Sequence, residues 1–253
     1  SSGLVGSEMC IRDRVYITIA AADIDNDGDL DIYRDAPTSD FPLFFENTGT
    51  ASSPAFKQQT PYAFGMARVE GAYHQTPTFG DIDGDGDLDM FFASKIDGDI
   101  FFLENTGTAT APAFAAPVTN PFGVYGAYMY NAPALVDIDA DGDLDMFVKL
   151  FDQTIIFFEN TGTATAPAFA TAVGNVFGQY LGVPAYFTSL EFADIDGDGD
   201  YDFFASSQPD ISVIFKENTG TANAPAFAAD VLGPFGFLLG HYTPPIFTDI
   251  DFD

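Results

Sequence analysis

The chain has 253 residues, 47% of them apolar, enough for one sizeable all-β domain with a real core. Eight Lys and Arg against 38 Asp and Glu give a formal charge of −30, which argues against nucleic acid and anionic membranes as partners and favours cations. The single cysteine, Cys10, excludes an intrachain disulfide and a Cys-built zinc or redox site, and no apolar run approaches the roughly 20 residues that span a bilayer.

Residues 1–20 carry no repeat signature. The run Glu8-Met9-Cys10-Ile11-Arg12-Asp13-Arg14-Val15-Tyr16-Ile17 resembles translated sequencing-adaptor read-through, with an edge strand at Val15 to Ala20 as the alternative. The start lacks the basic-then-apolar layout of a signal peptide, so an export signal is expected outside this chain.

From residue 21 to 253 the chain is repetitive, and internal self-similarity decides the fold class. Aspartate-rich loops begin at Asp23, Asp81, Asp137, Asp194 and Asp249, at intervals of 58, 56, 57 and 55 residues. Three other signatures keep step: Glu-Asn-Thr-Gly from Glu46, Glu104, Glu159 and Glu217, Ala-Phe ending at Phe56, Phe114, Phe169 and Phe227, and Phe-Gly at Phe64, Phe122, Phe177 and Phe235. Within one unit, Leu88 to Ala93 and Asp99 to Leu103 read as strands of a hairpin around Asp97-Gly98, with a second turn at Asn105-Thr106-Gly107. Runs such as Met90-Phe91-Phe92 and Ile155-Ile156-Phe157-Phe158 are apolar at successive positions, so both strand faces are expected to be buried between stacked sheets. A unit of about 57 residues holds four strands, one blade of a β-propeller, and no stretch has a 3.6-residue apolar period. Four units and the start of a fifth imply part of a larger propeller.

The intact loops read DIDNDGDLD, DIDGDGDLD, DIDADGDLD and DIDGDGDYD. Their acids are Asp23, Asp25, Asp27, Asp29 and Asp31; Asp81, Asp83, Asp85, Asp87 and Asp89; Asp137, Asp139, Asp141, Asp143 and Asp145; and Asp194, Asp196, Asp198, Asp200 and Asp202. The last copy keeps Asp249, Asp251 and Asp253. Five carboxylates in nine residues repel one another unless a cation holds them. Ca²⁺ takes six to eight hard oxygen ligands, so carboxylates at loop positions 1, 3, 5 and 9, the position-7 carbonyl and water make a suitable set. Glycine at position 6 (Gly28, Gly86, Gly142, Gly199) lets the backbone wrap the ion. Apolar residues at positions 2 and 8 (Ile24 and Leu30, Ile82 and Leu88, Ile138 and Leu144, Ile195 and Tyr201) are expected to plug each loop into the core. An EF-hand needs Glu at position 12, where Arg34, Phe92, Val148 and Ala205 stand.

These residues resemble the FG-GAP and VCBS repeats of integrin-α-like propellers, bacterial secreted types in particular. The resemblance implies calcium in each loop, with Asp81, Asp83, Asp85 and Asp89 as side-chain ligands, the Asp87 carbonyl completing the set and the other intact loops following identically. Tyrosines ahead of each loop (Tyr73, Tyr130, Tyr186, Tyr242), together with Tyr128 and Phe187, either pack between blades or stack on sugars. His74 and His241 lie in no recognisable catalytic arrangement. The expectation is an extracellular or cell-surface calcium-stabilised module that binds protein or glycan. Part of a carbohydrate-active enzyme such as a polysaccharide lyase, and a purely structural spacer, are the alternatives.

Overall fold

A computed structural model describes residues 19–34, 43–60, 63–67, 69, 76–94, 97–126, 131–150, 152, 154–175, 189–207 and 212–234. Four antiparallel sheets fill these residues, each a four-stranded meander in chain order. The first holds β1 (Ile19–Ala22), β2 (Asp31–Arg34), β3 (Leu43–Asn47) and β4 (Phe56–Gln58). The second holds β5 (Thr76–Gly80), β6 (Asp89–Ala93), β7 (Ile100–Leu103) and β8 (Val118–Thr119). The third holds β9 (Ala132–Val136), β10 (Asp145–Lys149), β11 (Ile155–Phe158) and β12 (Val173–Gly174). The fourth holds β13 (Leu190–Ala193), β14 (Asp202–Ser207), β15 (Ser212–Lys216) and β16 (Val231–Leu232). The first sheet takes in Ile19 and Ala20, two residues before the boundary expected at 21.

The innermost strands β1, β5, β9 and β13 pack side by side and jointly line an axial cavity of about 230 Å³. This is the arrangement of a β-propeller with four blades. The outermost strands β8, β12 and β16 are two residues long, with Val118, Val173 and Val231 exposed, and such short edges offer little template for strand addition.

The hairpin expected around Asp97-Gly98 is present: Met90 pairs with Leu103 and Ala93 with Ile100, and Gly98 turns the chain at φ +85°. The Phe-rich strands are buried on both faces, as their composition implies. Because side chains alternate along a strand, Met90 and Phe92 join Tyr33 and Phe44 between the first two sheets, while Phe91 and Ala93 join Met146 and Val148 between the next two. Phe147 in turn meets Phe203 and Ala205 of the fourth sheet. Each such phenylalanine contributes on the order of 2–3 kcal/mol by burial, so the faces between blades are the core.

The Phe-Gly pairs at Phe64 and Phe122 are short 3-10 turns whose phenylalanines take left-handed backbone, φ +55° and +54°. The Phe64 carbonyl accepts the Phe114 N–H of the next blade at 2.8 Å, and the Phe122 ring reaches Phe169 of the next blade with centroids 6.2 Å apart. The signature thus joins neighbouring blades. Phe177 and Phe235 lie outside the described residues.

Candidate metal centre

Each intact aspartate loop connects the first and second strands of its blade, and its ninth residue opens the second strand. The loop is held in shape by its own acids. Both oxygens of the position-1 carboxylate accept backbone N–H groups: in the second loop Asp85 N–H to Asp81 Oδ1 at 3.1 Å and Gly86 N–H to Oδ2 at 3.0 Å. The Asp85 carboxylate then accepts the Asp87 N–H at 3.1 Å. The first, third and fourth loops repeat all three bonds. Position 6 sits at φ +91°, +92°, +96° and +93° in the four loops, a region where glycine has no steric cost.

This folding brings the carboxylates of positions 1, 3 and 5 together. In the sets Asp23, Asp25 and Asp27; Asp81, Asp83 and Asp85; Asp137, Asp139 and Asp141; and Asp194, Asp196 and Asp198, one oxygen from each acid lies within 4.8 Å of the others. Position 9 stands outside that trio, as a buried support. Asp31, Asp89, Asp145 and Asp202 are at most 2% exposed. One oxygen of each accepts the backbone N–H of Asn47, Asn105, Asn160 or Asn218, at 2.7 to 2.8 Å. The second oxygen of Asp89 and of Asp202 accepts the N–H of Ile82 or Ile195 only at 3.4 Å, that of Asp31 and of Asp145 has no donor within normal hydrogen-bond distance, and one buried oxygen of Asp29, Asp87, Asp143 and Asp200 at position 7 has none either.

The asparagine of the Glu-Asn-Thr-Gly signature is therefore a hub. Asn105 donates its backbone N–H to the loop, while its side-chain oxygen accepts the N–H groups of Gly107 at 3.1 Å and Ala113 at 2.8 Å. Thr106 Oγ1 closes the turn on the Ala113 carbonyl at 2.9 Å. Glycine is required after it, since a Cβ on Gly107 would lie 2.3 Å from the Ala111 carbonyl oxygen. In the sequence this signature reads as a turn and a phase marker; the one sign of its link to the loop is the offset of 15 or 16 residues between position 9 and the asparagine.

Electrostatically the loops are strained. Burial, the leading cause, pushes Asp31, Asp89 and Asp145 up to about 7, against the N–H bonds that lower them. Asp87 and Asp143 rise to about 6 through burial and then the charge of Asp85 or Asp141. Asp25, Asp29, Asp83, Asp139, Asp200 and Asp202 are raised too, burial again first. Every charged neighbour that acts on these groups is another carboxylate. An all-oxygen, all-anionic cluster with buried lone pairs unused by the protein matches a hard divalent cation.

Both plugs behave as expected in the second and third loops, and the isoleucine plug does so in the first, where Leu30 is half-buried and joins no core cluster. Ile24, Ile82 and Ile138 are buried, each within the apolar cluster shared with the next blade, and Leu88 and Leu144 pack back against the preceding one. The fourth loop departs: Ile195 is 44% and Tyr201 42% exposed. Among the described residues, no further sheet covers Ile195 as the next blade covers the other three isoleucines. The fifth loop (Asp249, Asp251, Asp253), the aromatics Tyr73, Tyr128, Tyr130, Tyr186, Phe187 and Tyr242, and His74 and His241 lie outside the described residues. The remaining acid of note is Glu191, in the wall of the axial cavity, where burial raises its carboxyl to about 8.

Among the described residues no helix is long and apolar enough to cross a membrane. No curated protein matches the chain in sequence. Among solved structures, the chain is similar to an Agrocybe aegerita lectin, studied for specific recognition of non-reducing terminal N-acetylglucosamine. The two are 20% identical over 86% of this chain and 52% of the lectin, with a TM-score of 0.47, so this chain spans about half the lectin's length. It is also similar to the Photorhabdus luminescens Tc holotoxin pore, at 16% identity over 89% of this chain and 10% of that one, with a TM-score of 0.41. Residues 81–148, from the second aspartate loop into the third blade, match the family described as FG-GAP-like repeat. With the same loop, turn and Phe-Gly signatures recurring in phase along four meander sheets around one axis, the chain is a β-propeller that carries an FG-GAP-like repeat at residues 81–148.

Proposed function

We propose that the chain is a calcium-binding propeller module of the extracellular space, one ion per intact aspartate loop, and that it binds protein or glycan rather than carrying out catalysis. One observation carries the calcium reading: four copies of a three-carboxylate cluster, each backed by buried acids with oxygens that the protein leaves without a donor. In each loop, positions 1, 3 and 5 and the adjoining position 9 would hold the ion by side chain and position 7 by its carbonyl. The ion would supply the positive charge that the loops lack.

An extracellular module needs dissociation constants of only about 10⁻⁴ to 10⁻³ M, which extracellular calcium satisfies and cytosolic calcium does not. At about 10 mM calcium such sites each add roughly 1.4 to 2.7 kcal/mol to folding. The thermal melt should therefore rise by many degrees between EDTA and calcium, with a smaller rise in magnesium, which gives up its water reluctantly. An unchanged melting temperature would remove the calcium reading. The partner class is tested separately, by a glycan array and a pull-down of surface proteins with and without calcium. Failure of both would leave a spacer, and product release from acidic polysaccharides would make the chain part of an enzyme.

A further inference from the structure

Two contacts cross from the aspartate loop of one blade to the next blade, and both land on the same turn. In the second loop, position 4 is Gly84 at φ +69°, where a Cβ would lie 2.8 Å from the carbonyl oxygen of Ala164 and 3.0 Å from Thr165 Cγ2 in the third blade. In the third loop, the side-chain amide of Asn223 in the fourth blade donates to the Asp139 carbonyl at position 3, 2.9 Å away, and reaches the Ala140 carbonyl at position 4, 3.5 Å away. Thr165 and Asn223 are equivalent: each is the third residue after the glycine of its Glu-Asn-Thr-Gly signature. Ala140 also takes left-handed backbone, φ +56°, which alanine rarely does without support.

The geometry points to a latch between blades. We propose that the Glu-Asn-Thr-Gly turn of one blade fixes positions 3 and 4 of the preceding blade's aspartate loop, so that calcium affinity in one blade depends on docking of the next. Asn223 is then a positioning residue for the site of Asp137, Asp139 and Asp141. It touches no carboxylate of that site, but it holds the backbone from which the Asp139 carboxylate projects. Coupling of this kind is reciprocal, so calcium in the third loop tightens the contact between the third and fourth blades by the same factor. The inference rests on the calcium reading above.

The fourth loop supplies an internal control. A Cβ placed on Gly197, at the same loop position and φ +76°, would have no neighbour within 4 Å. Alanine there adds only backbone strain, whereas Gly84→Ala adds the same strain and a collision with the neighbouring turn. The N–H groups of Gly28, Gly86, Gly142 and Gly199 each donate to a position-1 carboxylate, so their amide resonances report the four loops one by one.

The experiment is a calcium titration of the full chain followed at those four amides. Asn223→Ala, at an exposed position, should raise the midpoint at Gly142 by about fivefold or more and leave Gly28 and Gly86 unchanged. Gly84→Ala should raise the midpoint at Gly86 by at least about fivefold more than Gly197→Ala raises that at Gly199. If the wild-type resonances move with calcium but neither variant pair shows its selective effect, the latch is wrong and the calcium sites stand. A uniform shift at all four glycines in Asn223→Ala overturns the latch equally, because a latch acts on one loop. If no wild-type resonance responds up to about 10 mM calcium, the calcium reading itself has failed.

Discussion

The first three aspartate loops and the fourth share their acids and spacing and differ in what surrounds them. In the first three, the position-2 isoleucine enters an apolar cluster shared with the next blade; in the fourth, Ile195 faces solvent. Inside the loop the four are alike: the same carboxylate trio, the same N–H bonds to position 1 and the same asparagine hub. The contrast teaches that the nine-residue motif dictates the shape of its own loop, whereas the link from loop to core belongs to the neighbouring blade.

That contrast can be broken most forcefully at the plugs. Ile82→Ala should cost about 2–4 kcal/mol and Ile195→Ala under about 1 kcal/mol, read as midpoint shifts in urea unfolding. Equal costs would mean that the fourth loop is covered in solution as the others are. The hub should show no such contrast. Asn105→Ala and Asn218→Ala each leave partly buried N–H groups without their acceptor and should each cost about 1–2 kcal/mol by the same measurement. A large difference between those two would tie the hub to blade position, and loop shape would then depend on the neighbour as well.

The smallest effect is on pH dependence in EDTA. Asp31, Asp89 and Asp145, raised to about 7 in the folded protein, bind protons there that the unfolded chain has already released above about pH 4. Their contribution is therefore fully present below about pH 4 and is lost as pH rises through 7, so the metal-free protein should melt higher at pH 5 than at pH 8. Asp89→Asn should flatten that slope, and a steeper slope in the variant would contradict the assignment. Calcium should reverse the order, since it binds the deprotonated loops.

Much of this was legible in the residues. The in-phase aspartate, asparagine and Phe-Gly signatures located every described blade, and consecutive phenylalanines such as Phe91 and Phe92 announced sheets stacked on both sides. What stayed hidden depends on partners far along the chain. The link from Asn105 to Asp89 rests on a backbone N–H, which has no signature of its own, and the contact of Asn223 with Asp139 joins residues 84 positions apart. Likewise, nothing in DIDGDGDYD distinguishes a plug that finds a neighbouring blade from one that does not; Ile195 differs from Ile82 only in what lies across the interface.

The central claim, that the aspartate loops are calcium sites, is met most directly by counting ions. Equilibrium dialysis of the metal-free chain against millimolar calcium, with magnesium as competitor, should give at least one ion for each of the four carboxylate trios, lost one at a time as Asp83, Asp139 and their counterparts are changed to Ala. Fewer than one ion bound per chain, or binding that magnesium displaces at equal concentration, would contradict it.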